Sequence, residues 1–182
     1  MSSPALPTRF EPSALEAKWQ AEWDRLAAFR APSPPTTPIF SFVLPPPNVT
    51  GVLTVGHMLG DTVQDIFARQ HRMRGAATLW VPGLDHAGLA TQVEVRRRLA
   101  KQGVRFEELA PEAALAELAR WKDEHERRIL EQTRAGGFSV DWTRYRYTMD
   151  PASVRATRTA FVALYRDGLV YRGSQLTIRS PR

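Results

Sequence analysis

Residues 42–57 read Phe-Val-Leu-Pro-Pro-Pro-Asn-Val-Thr-Gly-Val-Leu-Thr-Val-Gly-His. The run begins as a buried strand, breaks at three prolines and reaches a Gly-His pair that opens a helix. Proline fixes φ and carries no N–H, so Pro45, Pro46 and Pro47 end the strand as a stiff wall with little left to order. A phosphate can sit where a strand ends and a helix begins, because the first helical N–H groups are unpaired and the helix dipole favours anions. Asn48 and Thr50 offer polar side chains at this corner, and Gly51 permits a tight turn. Gly56 leaves room for a ring or ribose against the helix start, and His57 brings an imidazole beside it.

Outward from this run the elements alternate. Residues 39–44 are almost continuously apolar, as in a strand covered on both faces. Residues 56–73 have helical periodicity, with Met58, Leu59, Val63, Ile66, Phe67 and Met73 predicted as a broad inner face. A second strand is predicted over 76–81, ended by Pro82-Gly83, and a helix from about 90 to 102, stopped by Gly103. Strand, helix, strand, helix implies a parallel sheet with right-handed crossovers, so the fold class is α/β, a Rossmann-like parallel sheet with flanking helices. Upstream, residues 1–10 look loose. Residues 11–26 predict a helix with Leu15, Trp19, Trp23 and Leu26 on one packed face, and 31–38 hold four prolines in a stiff connector. Downstream, 111–135 predict a long helix with Leu115, Leu118, Trp121, Ile129 and Leu130 inward and the charged stretch 122–128 solvated. A last helix is predicted over 153–167, and Leu169 to Tyr171 as the start of a third strand. The expected organisation is an N-terminal helix and connector over 1–38, followed by a nucleotide-binding half-domain over 39–182.

The second strand runs out into Pro82-Gly83-Leu84-Asp85-His86-Ala87-Gly88. Parallel sheets bind ligands outside the carboxyl ends of their strands, which puts Asp85 at the same edge as Pro46. A carboxylate facing an apolar wall suits an α-ammonium group through a charge-assisted hydrogen bond; the alternative is that Asp85 caps the next helix. His57, His71, His86 and His125 lack metal-ligand spacing, so no metal site is assigned. No phosphate-binding Gly-x-x-x-x-Gly-Lys loop, nucleophile elbow or complete Gly-x-Gly-x-x-Gly fingerprint is present.

Composition bounds the rest. The 182 residues are 43% hydrophobic and 24% charged, as in an ordinary globular domain. No apolar run reaches the roughly 18 residues of a membrane span, and the N-terminus lacks a secretory pattern. With no cysteine there is no disulfide framework or thiolate zinc site. A cytoplasmic location is the default. The net charge of +6 suits a polyanion such as RNA, or marks a basic surface without a specific partner.

Read together, these segments resemble the N-terminal part of the valyl-tRNA synthetases, class I aminoacyl-tRNA synthetases. The resemblance rests on Pro45-Pro46-Pro47-Asn48-Val49-Thr50-Gly51, on Gly56-His57, and on Gly83-Leu84-Asp85-His86-Ala87-Gly88-Leu89-Ala90-Thr91-Gln92. It extends to Glu16-Ala17-Lys18-Trp19-Gln20, Asp141-Trp142-Thr143-Arg144 and Thr148-Met149-Asp150, and covers roughly residues 9–173. Isoleucyl and leucyl relatives differ at both central motifs.

The resemblance implies a Rossmann-like fold that forms an aminoacyl-adenylate from ATP and passes it to tRNA. Pro46 and Asp85 would then contact valine. Asn48, Gly56 and His57 would line the ATP site, with His57 and Thr54 the catalytic candidates. Magnesium would accompany ATP, and tRNA would meet a basic surface.

Two departures shape the expectation. The family signature is His-x-Gly-His, and its first histidine is Thr54 here; losing one such donor elsewhere lowers rates by ~10²–10³. After Tyr171-Arg172-Gly173 the family runs into an editing insert, then the second half of the sheet, a Lys-Met-Ser-Lys-Ser loop and an anticodon-binding region, whereas this sequence ends on Leu176-Thr177-Ile178-Arg179-Ser180-Pro181-Arg182. Three readings follow: a catalytic half with weak valine and ATP binding, a non-enzymatic paralogue binding nucleotide, amino acid or tRNA, and a non-functional remnant. Half a parallel sheet would also expose an apolar edge and face, so self-association is expected.

Overall fold

The computed structural model describes residues 9, 11–35 and 37–178, and the chain divides into two compact units, 1–147 and 148–182. Residues 1–8, 10, 36 and 179–182, which include one position of the expected 31–38 connector, lie outside the described residues.

The heart of the first unit is a strand–helix–strand repeat: β1 (Ile39–Val43), α2 (Val55–Met73) and β2 (Ala77–Val81), preceded by α1 (Pro12–Leu26). The two strands pair in parallel, in register from Ile39 opposite Ala77 to Val43 opposite Val81. Gly75, at φ +82°, makes the reversal between α2 and β2, a conformation that costs glycine little. Beyond β2, the short β3 (Gly83–Leu84) pairs in parallel with β4 (Arg146–Tyr147). Between them lie α3 (Leu89–Lys101) and α4 (Pro111–Ala135). The mixed α/β architecture with parallel strands matches the sequence reading. The two-residue strands were not legible, being too short for any periodicity.

Three apolar clusters hold this unit. Leu44, Ala68, Trp80, Phe138 and Val140 sit under the strand pair. Val49, Leu53, Leu84 and Ile129 join the loops at the carboxyl edge to α4. Val95, Leu99 and Leu118 lock α3 to α4. The charged stretch 122–128 is more than a solvated face. His125 is buried and stacked on Trp121, Lys122 pairs with Glu126 at 2.6 Å, and Glu124 reaches Arg98 of α3 at 2.7 Å.

The helix faces differ from expectation. The buried face of α2 is Asp61, Asp65 and Ala68, with Met58 half-buried, while Leu59, Val63, Ile66, Phe67 and Met73 are exposed. Polar bonding decides this orientation. Asp65 accepts hydrogen bonds from Ser139 N–H at 3.0 Å and from the Ser139 hydroxyl, and it pairs with Arg69 at 2.7 Å. A buried carboxylate so partnered is stable inside, and it turns the apolar stripe outward. β1 is likewise not covered on both faces: Ile39 and Val43 are exposed. On α1, Leu15, Trp19 and Leu26 are exposed; Trp23 makes the contact, tilted on Phe29 and beneath Arg69. Leu115 of α4 is also exposed.

The second unit carries α5 (Pro151–Arg166). Asp150 caps it by accepting from Ser153 N–H at 2.7 Å, and Pro151 occupies the first turn, where its missing N–H costs nothing. Residues 169–171, expected to start a third strand, form none.

Candidate functional site

The carboxyl edge of the β1–β2 pair is where the sequence motifs meet. From β1 the chain passes through Leu44, whose N–H donates to Val81 O at 2.9 Å, into the prolines. From β2 it passes through Pro82 into β3. The two loops then bond to each other: Asp85 N–H donates to Pro47 O and Val49 N–H to Asp85 O, both at 2.9 Å, making a parallel bridge between Asn48 and Asp85. Pro47 and Val49 are buried; Pro46 and Asn48 are exposed; Asp85 is half-buried. Pro46 also lies close to Gly83, 3.9 Å from where a Cβ on that glycine would be. The edge thus gathers Pro46, Asn48 and Asp85.

A second group sits at the start of α2. Thr54 is the residue before the first helical turn, with φ −101° and ψ 168°. Its N–H donates to His57 Nδ1 at 3.1 Å, and its hydroxyl lies 2.8 Å from the same nitrogen. A Cβ on Gly56 would meet only Thr54 Oγ1, at an ordinary 3.6 Å, so the fold itself does not demand glycine there. No acidic residue occupies the first turn of α2. There is open space over Gly56, beside a helix start whose His57 N–H is taken by the Thr54 side chain.

The long helix α4 holds both groups in relation. Trp121 Nε1 donates to Val49 O at 2.7 Å, and Gln132 Oε1 accepts from Leu53 N–H at 2.9 Å. These two residues are the supports that periodicity did not reveal. Trp121 reads as an ordinary core residue until its indole N–H is given a partner. His86 and Tyr147 are a further pair, with Nδ1 and the hydroxyl 2.6 Å apart. Burial raises the Tyr147 phenol above its usual range, so it keeps its proton. Two open concavities, of about 680 Å³ and 660 Å³, lie along α1 and the loop after it; neither is lined by Pro46, Asn48, His57 or Asp85.

Asp61, one turn beyond His57, was not singled out by the sequence. It is 6% exposed and accepts no hydrogen bond from the described residues, and burial raises its carboxyl above the ordinary range. The folded chain therefore holds this proton more tightly than the unfolded chain. Stability from that proton is present below about pH 4 and is lost as pH rises through the raised value. Asp61→Asn removes the buried charge and is expected to stabilise the chain by about 1 kcal/mol at neutral pH, with the gap closing in acid. Thermal unfolding at the two pH values checks this; a variant no more stable than its parent at neutral pH would sink it.

Parallel strands bridged at their carboxyl ends, with helices between them, define an α/β fold. Comparison with known proteins narrows the class: residues 18–181 match the model of the tRNA synthetases class I (I, L, M and V), and the chain belongs to that family. Valine–tRNA ligase of Geobacter sulfurreducens is 45% identical over all 182 residues, which span 20% of that relative. The valine–tRNA ligases of Synechocystis and Deinococcus radiodurans are each 46% identical, over 94% and 97% of this chain and 19% of their own lengths. The chain thus spans about a fifth of these relatives. In fold it is similar to the Agrobacterium radiobacter LeuRS solved in a ternary complex with tRNA and LeuAMS, with a TM-score of 0.74 and 24% identity over 90% of this chain and 19% of that one. Among the described residues no helix is long and apolar enough to cross a membrane.

Proposed function

We propose that this chain forms the valine- and ATP-binding side of a valyl-tRNA synthetase active site and acts in the cytoplasm. The observation that carries the reading is the Asn48–Asp85 bridge, which couples the loop after β1 to the loop after β2. Pro46 supplies the apolar wall for the valine side chain, and the Asp85 carboxylate receives its ammonium group. Asn48, Gly56 and His57 line the ATP site at the tip of α2. In the reaction a valine carboxylate oxygen bonds to the α-phosphorus, the bond from that phosphorus to the bridging oxygen breaks, and pyrophosphate leaves with the electron pair. The contribution of these residues is alignment of the two substrates and hydrogen bonding to the crowded phosphate oxygens. Among the described residues no group of three or more His, Cys, Asp or Glu gathers in one place, and magnesium would come with the ATP phosphates.

Calorimetry of the chain with a non-hydrolysable valyl-adenylate analogue tests this. Saturable binding, weakened by Asp85→Ala, supports it; no binding to a folded chain refutes it. A second reading is favoured by the net charge of +6: a paralogue that binds tRNA or nucleotide without turnover. Salt-sensitive tRNA binding with background pyrophosphate exchange would select it. Both readings share one expectation in solution. Among the described residues β1 pairs with β2 alone in a two-stranded sheet, and the apolar face of α2 is exposed, so the chain self-associates, and a monodisperse monomer by sedimentation would refute that.

A further inference from the structure

We propose that Thr54 is a positioning residue that, in the neutral imidazole of His57, holds the ring proton on Nε2, so that the tip of α2 presents one fixed ring donor beside the start of the helix. The proposal rests on the reading of that tip as a phosphate site. The argument begins with a donor that has no choice. A backbone N–H can only donate, and that of Thr54 is aimed at His57 Nδ1 at 3.1 Å. Nδ1 must therefore present a lone pair. The Thr54 hydroxyl is 2.8 Å from the same nitrogen, and against a lone pair it too is a donor. A neutral imidazole carries a single ring proton, so that proton is on Nε2. With the proton on Nδ1 instead, two N–H groups would face each other across 3.1 Å.

This contact is a variant of the capping box. There the side chain three residues into the helix accepts from the N–H of the capping residue, a task usually given to Glu or Gln. Here His57 performs it through Nδ1, without placing negative charge where an anion would bind. Nε2 is on the other side of the ring from Nδ1, and His57 is exposed, so its N–H is available to an incoming acceptor. Thr54 thus has a role of its own. An imidazole at position 54 would add a second ring at the tip; the threonine hydroxyl instead adds a second donor to Nδ1 beside the backbone N–H.

The test uses the whole chain, labelled with nitrogen-15 histidine, at neutral pH. Long-range proton–nitrogen spectra distinguish the two tautomers, and the His57 signals are assigned by their loss in His57→Gln. The expected result is an unprotonated Nδ1 and a protonated Nε2. Thr54→Val removes the hydroxyl and leaves the backbone N–H as the one remaining donor to Nδ1, so it is expected to admit a measurable share of the other tautomer rather than to switch it, and Thr54→Ser to restore the parent pattern. In calorimetry with the valyl-adenylate analogue, Thr54→Val should weaken binding about 2–10-fold, with Thr54→Ser close to the parent. A protonated Nδ1 in the parent overturns the proposal, as does a valine variant unchanged in both tautomer and affinity. The expected tautomer without any analogue binding upholds the assignment and refutes the phosphate-site reading, so the two failures are distinguishable.

Discussion

Asp65→Ala is expected to cost about 3–5 kcal/mol of folding stability, the effect of removing one partner from a buried ionic network. Asp65 is only 9% exposed and satisfies three donors at once: the Ser139 N–H, the Ser139 hydroxyl and the Arg69 guanidinium. Ser139 is fully buried, so its freed N–H gains no water in exchange. Arg69 keeps a bond to Gly137 O at 2.7 Å, but it loses its counter-charge. Arg72, which donates to the Ser139 hydroxyl at 2.5 Å and to Ser139 O at 2.7 Å, then shares its surroundings with Arg69 and with less negative charge to offset either. Asp65→Asn keeps an acceptor for the Ser139 N–H but loses the charge and the oxygen that accepts from Arg69, so it is expected to cost less than alanine while remaining destabilising. Urea unfolding followed by tryptophan fluorescence measures both, because Trp80 lies fully buried in the neighbouring cluster. An alanine variant within about 1 kcal/mol of the parent would mean that Asp65 does not set the orientation of α2.

That orientation is also where sequence reasoning failed, and the reason is physical. Helical periodicity in α2 was plain, and its last residue, Met73, was read correctly. The choice of face rested on the rule that the apolar stripe points inward. Leu59, Val63, Ile66 and Phe67 obey the spacing, yet they are exposed, while Asp61 and Asp65 are buried on the opposite face. A carboxylate four residues after another, followed by Ala68, has the same helical spacing, but nothing local says that Ser139, 74 residues away, will satisfy one of them. The long helix α4 was legible to the residue at both ends, since Pro111 starts it and Gly136 follows it. The meeting of Asn48 and Asp85 was legible for a different reason. Parallel strands deliver their following loops to one edge, and that edge does not depend on which face of any helix is buried. Its supports from Trp121 and Gln132 were hidden, because a side-chain bond to a backbone group over 70 residues away leaves no periodic trace.

Gly83→Ala is expected to destabilise the chain by about 2–3 kcal/mol and to abolish any binding that depends on the Pro46–Asp85 edge. A Cβ at position 83 would stand 2.9 Å from the Arg146 carbonyl oxygen and 3.8 Å from its carbon. Both are backbone atoms, which cannot swing aside as a side-chain end would. The shift must be taken up by the two-residue ladder, in which Gly83 faces Arg146 and Leu84 faces Tyr147, or by the Arg146 N–H bond to Pro82 O at 3.1 Å. Against this, replacing glycine by alanine narrows the unfolded ensemble and favours folding by about 0.4–1 kcal/mol where the backbone permits. Gly83 has no positive φ, so that gain applies, and the steric cost exceeds it. Gly60→Ala isolates the opposing term. Gly60 is exposed within α2, and a Cβ there would meet nothing within 4 Å, so this variant is expected to gain about 0.5–1 kcal/mol. Measured side by side by urea unfolding, the two alanines should move the midpoint in opposite directions. If Gly83→Ala proves as stable as its parent and still binds the valyl-adenylate analogue, the close approach of Arg146 to β3 does not fix the edge on which Asp85 stands.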